Sequence, residues 1–297
     1  MKTIYYKLID IELWFYDGKN FPKLLPNEVF SDHIDNKFTK HQFNKIEVDI
    51  KNDLKKSGYL VYSIMNPLYL DSQTTVISVD IIHNKHTVNK LKSNPPIKIE
   101  ENLEILLKKH QKRLDEIFSH GDGSLERFRK NGILFSKDKQ LYDLEIQISQ
   151  ISTDNISQIT KALLNSNSLT WLQSLQWTEK SQNMINVYLE KLKNSNEQEI
   201  NIILLQLIPL IDNSSNSFKK HLTDIILNNL LIFPSSTVRN KAMSILSEIP
   251  KYTPNNRYFI DFIKTQANSK QLNCSYPAKE ILGALNSGCQ EPHEVDA

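Results

Sequence analysis

NEQEINIILLQLIPLID, residues 196–212, opens on an asparagine suited to capping a helix. It then carries Ile200, Ile202, Ile203, Leu204, Leu205, Leu207, Ile208, Leu210 and Ile211 around most of its circumference. An apolar surface this wide is too much for a single neighbour. The helix must be covered on at least two sides, as a central helix in an array is. Residues 181–194 show a narrower stripe, Met184, Val187, Tyr188 and Leu192, which fits a helix lying further out.

The pattern extends in both directions from this pair. Asp154-Asn155 supplies a cap and Ile156, Ile159, Leu163 and Leu164 a helical face. Further helices are predicted to begin near Ser181, Asn196, Ser217, Ser235, Pro254 and Ser275, each introduced by Ser, Asn or Pro. Taking alternate helices, the starts recur at about 36 to 41 residues, the period of helix-pair solenoids. Short loops make neighbouring helices antiparallel. The sequence thus predicts an all-α domain over residues 153–288 and a disordered tail over 289–297.

Within it, Pro234-Ser235-Ser236-Thr237-Val238-Arg239-Asn240-Lys241-Ala242-Met243-Ser244-Ile245-Leu246-Ser247-Glu248-Ile249 resembles the second helix of a HEAT repeat: Val-Arg after a capped turn, then recurring small and aliphatic residues. Ile208-Pro209, late in its helix, resembles the proline that bends the first helix of such repeats. The resemblance implies a HEAT-like solenoid over some 110 to 130 residues. It also implies that Arg239 pairs with an acidic residue of the preceding turn, where this chain has Ser235 and Ser236. It implies nothing about what the surface binds.

Residues 1–152 read as a mixed α and β domain. Ile9, Ile11, Leu13 and Phe15 alternate with Asp10, Glu12 and Trp14 as in a half-buried strand, and Asp17-Gly18 turns the chain. Phe43, Ile46, Ile50 and Leu54 have helical spacing, stopped by Ser57-Gly58. Two strand-like runs follow, Tyr59 to Met65 and Thr74 to Ile82, the second with Thr75, Ile77, Val79 and Ile81 on one face. Asn94-Pro95-Pro96 breaks the chain before an amphipathic helix carrying Leu103, Leu106, Leu107, Leu114, Ile117 and Phe118. A helix around Leu125 to Lys130 and a strand from Leu141 to Ile151 complete an order compatible with a ferredoxin-like sandwich. The expected fold class is α+β.

Composition narrows the function. The net charge is +2, and the first 150 residues hold 23 of the 36 basic and 21 of the 34 acidic side chains, so the remainder balances. Nucleic-acid binders rely on a basic excess that is missing here. Only 7 glycines in 297 residues argue against nucleotide loops and a Rossmann crevice. The N-terminal segment, broken by Lys7, Asp10 and Glu12, lacks the apolar run of a signal peptide, and no stretch approaches a membrane span. Cys274 and Cys289 read as free thiols of a reducing compartment, which makes the expected location cytoplasmic.

Local clusters offer little chemistry. His83 and His86 stand three apart, a spacing a metal can use, but no third ligand is evident, and solvated histidines at a strand end are the ordinary reading. His120-Gly121-Asp122-Gly123-Ser124 is the one glycine-rich spot and lacks the context of a P-loop. Lys85, Lys90, Lys92 and Lys98, with Lys108, Lys109, Lys112 and Arg113, form the best basic patch, and Glu100, Glu101 and Glu104 adjoin it. Trp171 and Trp177 are candidates for an exposed anchor or a buried seam; Arg239, Arg257 and Tyr258 have the residue types of binding hot spots.

No metal, cofactor or catalytic motif emerges. The expectation is a non-enzymatic, cytoplasmic protein-binding module acting through the solenoid surface or the domain junction, with neutralisation of a toxin, as by an immunity protein, as one role. The alternative is a HEAT-like nucleic-acid binder. A third reading places an enzyme site in the N-terminal domain around Asp10, Glu12 or the histidines.

Overall fold

The computed structural model describes residues 4–26, 30–69, 71–83, 101–120, 125–130, 133–165, 169–212 and 214–287. The fold class is α+β, as the sequence predicts. The chain forms two compact units, Met1–Asn89 with Leu210–Ala297, and Lys90–Pro209.

The first unit begins with β1 (Tyr5–Tyr16), β2 (Lys23–Leu25), β3 (Lys37–Thr39), α1 (Lys40–Lys56), β4 (Tyr59–Met65), β5 (Leu68–Tyr69) and β6 (Thr74–His83). β1 and β6 run parallel at the centre of the sheet, in register from Lys7↔Thr74 to Tyr16↔Ile82, with an irregularity between Leu8 and Asp10. Antiparallel β4 flanks β6, and short β2 and β3 flank β1. A parallel pair needs a crossover between its strands. Here α1 belongs to it, capped by Thr39, whose hydroxyl accepts from Gln42 N while the Gln42 side chain returns to Thr39 N. Gly58, at φ +84, ends that crossover helix in a backbone conformation that a side chain would strain.

Alternation divides the sheet into two chemically different faces. Ile11, Leu13, Ile77, Val79 and Ile81 pack with Phe43, Ile46, Ile50 and Leu54 of α1 in one apolar core. The opposite residues of the same strands are Glu12, Trp14, Tyr16, Ser78, Asp80 and Ile82, and they too are buried. Coverage on both sides explains why β6 is buried from Thr75 through Ile82.

The second unit contains α2 (Glu101–His120), the hairpin β7 (Arg127–Lys130) and β8 (Ile133–Ser136), α3 (Lys139–Asp154), α4 (Ile156–Asn165), α5 (Leu169–Ser174), α6 (Gln182–Leu192) and α7 (Glu197–Leu207). In it α2 packs on α3, α4 on α6, and α5 on α7. The chain then returns to the first unit with α8 (Asn216–Ile225), prolonged by a π turn over Ile226–Leu230, α9 (Ser236–Glu248), α10 (Arg257–Ala267) and α11 (Leu272–Asn286). There α11 packs on both α9 and α10. Ser181, Asn196 and Ser235 cap helices where the sequence puts them, while Ser215, Asn256 and Gln271 precede helices expected at Ser217, Pro254 and Ser275.

Four expectations change. Residues 141–151 are helix, not strand: Asp138 caps α3 by accepting from Leu141 N, and Leu141, Glu145, Ile148 and Ser152 bury one helical stripe. Arg127–Lys130 is strand, not helix, because Ile133–Ser136 pairs with it. The second half of a ferredoxin-like sandwich is therefore missing from the sheet, and β2 and β3 take the place beside β1. The compact units also do not divide at residue 152: α8 to α11 belong with the sheet, because buried polar groups of β1 and β6 are satisfied by α9 and the segment before α11. The expected tail, 289–297, lies outside the described residues.

Candidate protein-binding site

The site is built on the polar face of the sheet. Asp80 projects from β6 onto the start of α9. Its Oδ2 accepts the Ser236 backbone N–H at 2.6 Å and its Oδ1 the Ser236 hydroxyl at 2.6 Å, while Ser63 of β4 donates to Oδ2 at 2.5 Å. A carboxylate there satisfies an N–H that helix geometry leaves unpaired, and it complements the positive end of the helix dipole. One turn on, the Arg239 guanidinium lies 3.6 Å from Asp80 and donates to the Tyr16 hydroxyl and, at 2.8 Å, to Ser236 Oγ. Its Cζ sits 4.5 Å from the centre of the Trp14 ring, a cation–π contact made away from water. Burial pushes the Tyr16 phenol well above its ordinary range, so it stays neutral beside the pair.

Glu12 does the same at the approach to α11. It accepts from the Ser269 hydroxyl at 2.8 Å, from Lys270 N at 2.7 Å and from Trp14 Nε1 at 3.2 Å. Tyr69 adds an acceptor to the first residue of α11, Leu272 N, at 3.0 Å. Two strand carboxylates thus hold the beginnings of two helices, and the groove between α9 and α11 inherits their rigidity.

That groove is a cleft of about 590 Å³. Thr237, Asn240, Lys241 and Ser244 of α9 form one wall, Leu272, Asn273, Tyr276 and Pro277 of α11 the other, and Met65 of β4 closes an end. Leu272 and Tyr276 are 58% and 68% exposed, one helical turn apart. Pro277 lies inside α11 and has no N–H to give to the carbonyl of Asn273. Asn240 is only 7% exposed, and neither its side-chain nitrogen nor its oxygen finds a protein partner. An unpaired carboxamide in such a place costs stability until something pairs with it. The accessible apolar groups of the cleft are Leu272 and Tyr276, while the polar atoms of the Asn240 side chain are buried behind its wall.

Several residues singled out in the sequence lie elsewhere. Arg239 is fully buried; its acidic mate is Asp80, supplied by the sheet where the HEAT resemblance points to the preceding turn. Trp171 and Trp177 are buried, so neither is an exposed anchor. Arg257 is exposed, with Asp261 at 3.7 Å, and Tyr258 is exposed and stacked on Phe21 at 5.2 Å between ring centres. In the basic patch Lys108 is paired with Glu104 at 2.7 Å, and Arg113 with Asp138 at 2.7 Å and Glu116 at 3.3 Å; Lys109 and Lys112 are exposed. The Asp138 carboxyl is held below its usual range by that Arg113 hydrogen bond.

Lys85, Lys90, Lys92, Lys98, His86, residues 121–124 and Cys289 lie outside the described residues. His83 ends β6, its ring 6.3 Å from that of Tyr59. Asp10 accepts Ile11 N, and Glu12 belongs to the helix-holding network. Cys274 is a free, buried thiol donating to Gln266 Oε1 at 2.6 Å, and burial pushes it up to about 11. Among the described residues no helix is long and apolar enough to cross a membrane.

Sequence reasoning missed the cleft. Its one legible trace is Leu272 and Tyr276 spaced on a helical face with Pro277 beside them. No protein-family model, no curated protein and no solved structure matches the chain.

Proposed function

We propose that this chain is a protein-binding module without an enzymatic role, and that it engages its partner in the cleft between α9 and α11. The observation that carries this reading is the cleft itself, with the exposed apolar groups Leu272 and Tyr276 one helical turn apart on its α11 wall. The occupant that fits is a segment of another protein with one large apolar side chain to lie against Leu272 and Tyr276. Helix packing supports the module's kinship with helix-pair repeats, since α4 on α6 and α5 on α7 is the alternate-helix contact of stacked pairs.

Peptide display on the full-length protein tests the reading. Selected peptides are expected to share an apolar residue and to lose binding to the doubly substituted Leu272→Asp, Tyr276→Asp protein. Selection that enriches nothing, or peptides indifferent to both substitutions, would remove the cleft as the docking site.

A further inference from the structure

The second unit holds a buried acid–imidazole pair for which protein binding through the first unit has no use. His110 of α2 lies two turns beyond Leu103 on the same stripe, and it is buried although polar. Its Nε2 meets Oε1 of Glu145, from α3, at 3.2 Å. Glu145 is buried as well, and Ser136 at the end of β8 saturates it, giving its hydroxyl to Oε1 at 2.7 Å and its backbone N–H to Oε2 at 2.8 Å. The Trp177 ring stands edgewise to the imidazole, 4.9 Å between centres. The ring of His110 is therefore fixed on two sides.

With Nε2 donating to Glu145, Nδ1, for which the described residues offer no partner, is an acceptor in the neutral ring and a second donor in the doubly protonated one. His110 lines a cavity of about 340 Å³ together with Gln111, Arg127, Gln173, Gln176 and Trp177. That volume is at the small end of ligand pockets, about 300–1,000 Å³. Two more lining residues, Glu104 and Lys108, neutralise each other at 2.7 Å. No carboxylate among the described residues pairs with Arg127, so a guanidinium, an imidazole and three carboxamides line one small space. Ser136 gives its hydroxyl to the carboxylate and not to the imidazole, so the trio is not a nucleophile–base relay. It is a positioned donor.

We propose that this cavity binds a small ligand through an oxyanion, phosphoryl or carboxylate, with Arg127 as its charged donor, His110 Nδ1 as a donor from the doubly protonated ring, and Glu145 as the residue that positions the imidazole. A guanidinium makes charge-assisted hydrogen bonds to either oxyanion, as an imidazole does once both its nitrogens carry protons, and the carboxamides add neutral donors.

Nitrogen NMR of the full-length protein, titrated separately with inorganic phosphate, phenyl phosphate and benzoate, tests this. The Nδ1 resonance of His110 is expected to shift saturably while Nε2 stays on Glu145. Arg127→Gln, at an exposed position, is expected to weaken binding by roughly tenfold or more, as is His110→Gln if its melt is retained. Glu145→Gln is expected to move the Nε2 resonance in the free protein and to weaken binding. A response to the phosphates alone assigns a phosphoryl ligand, and to benzoate alone a carboxylate. An Nδ1 resonance unmoved by all three probes at millimolar concentration overturns the proposal, and so does binding that Arg127→Gln leaves intact.

Discussion

Asp80 and Ser236, 156 residues apart in the chain, share two hydrogen bonds of 2.6 Å, and through them the sheet holds the first turn of α9. The same carboxylate is the counter-charge of fully buried Arg239. Breaking a buried pair by removing one partner strands the other charge, at a cost of about 3–5 kcal/mol. Asp80→Asn is therefore expected to lower unfolding free energy by that amount in urea titration. Joint replacement of Asp80 and Arg239 by apolar residues should cost less than the sum of the single changes.

Glu12→Gln tests the second holding point. The amide keeps one acceptor but turns an N–H₂ group toward Lys270 N or Ser269 Oγ. The expected loss is about 1–3 kcal/mol. Hydrogen exchange should quicken at Lys270 N, which donates to Glu12, more than at the α1 amides on the other face of the sheet.

Cys274 should be inert while the protein is folded. Its thiol is buried, and burial lifts it from 9.0 to about 11. The thiolate is disfavoured in the folded state, so the folded chain holds a proton that the unfolded chain releases between those values. Stability should accordingly fall as pH rises from about 9 to 11 and be unaffected by this group below that window. In a Cys289→Ser background a thiol reagent at pH 8 should label the protein only after denaturant is added. Rapid labelling of the native protein would contradict the burial.

Lys180 makes the opposite contribution. Desolvation pushes its ammonium down from 10.5 to about 7, and its Nζ donates to the carbonyls of Leu175 and Thr178, which a neutral amine can also do. Here the unfolded chain binds the extra proton, so stability should rise with pH between about 7 and 10.5. Relative to wild type, Lys180→Met should gain stability as pH falls through that window and level off below it. Urea midpoints across pH check this.

Leu272→Asp and Tyr276→Asp should leave the melting temperature nearly unchanged, because both side chains stand largely in water. Exposed substitutions of this kind usually lie within about 0.5 kcal/mol. A large loss of stability would mean that these side chains pack, and would withdraw them from the cleft.

Local signals were readable wherever a short segment decides its own conformation. Ser181, Asn196 and Ser235 mark their helices because a side-chain oxygen three residues before a backbone N–H is a local device. Leu144-Glu145-Ile146-Gln147-Ile148 alternates like a strand, yet the Asp138 cap and the stripe through Leu141, Ile148 and Ser152 outweigh that pattern. Arg239 was conspicuous in the sequence, but its mate is on a strand 159 positions earlier, and nothing local announces it. His110 interrupts the Leu103 stripe of α2 and is in that sense visible. Glu145, which gives it a purpose, is 35 residues away on a segment read as strand.

Glu12 and Asp80 leave the ribosome well before the groups they serve, Ser236, Arg239 and Lys270. Until then only Ser63 and Trp14 donate to the two acids, whereas residues 90–209 are emitted as one uninterrupted piece. Synthesis in this order lets residues 90–209 settle before α9 and α11 reach the sheet, and a stop anywhere before Ser236 releases a sheet whose two acids lack the donors those helices bring.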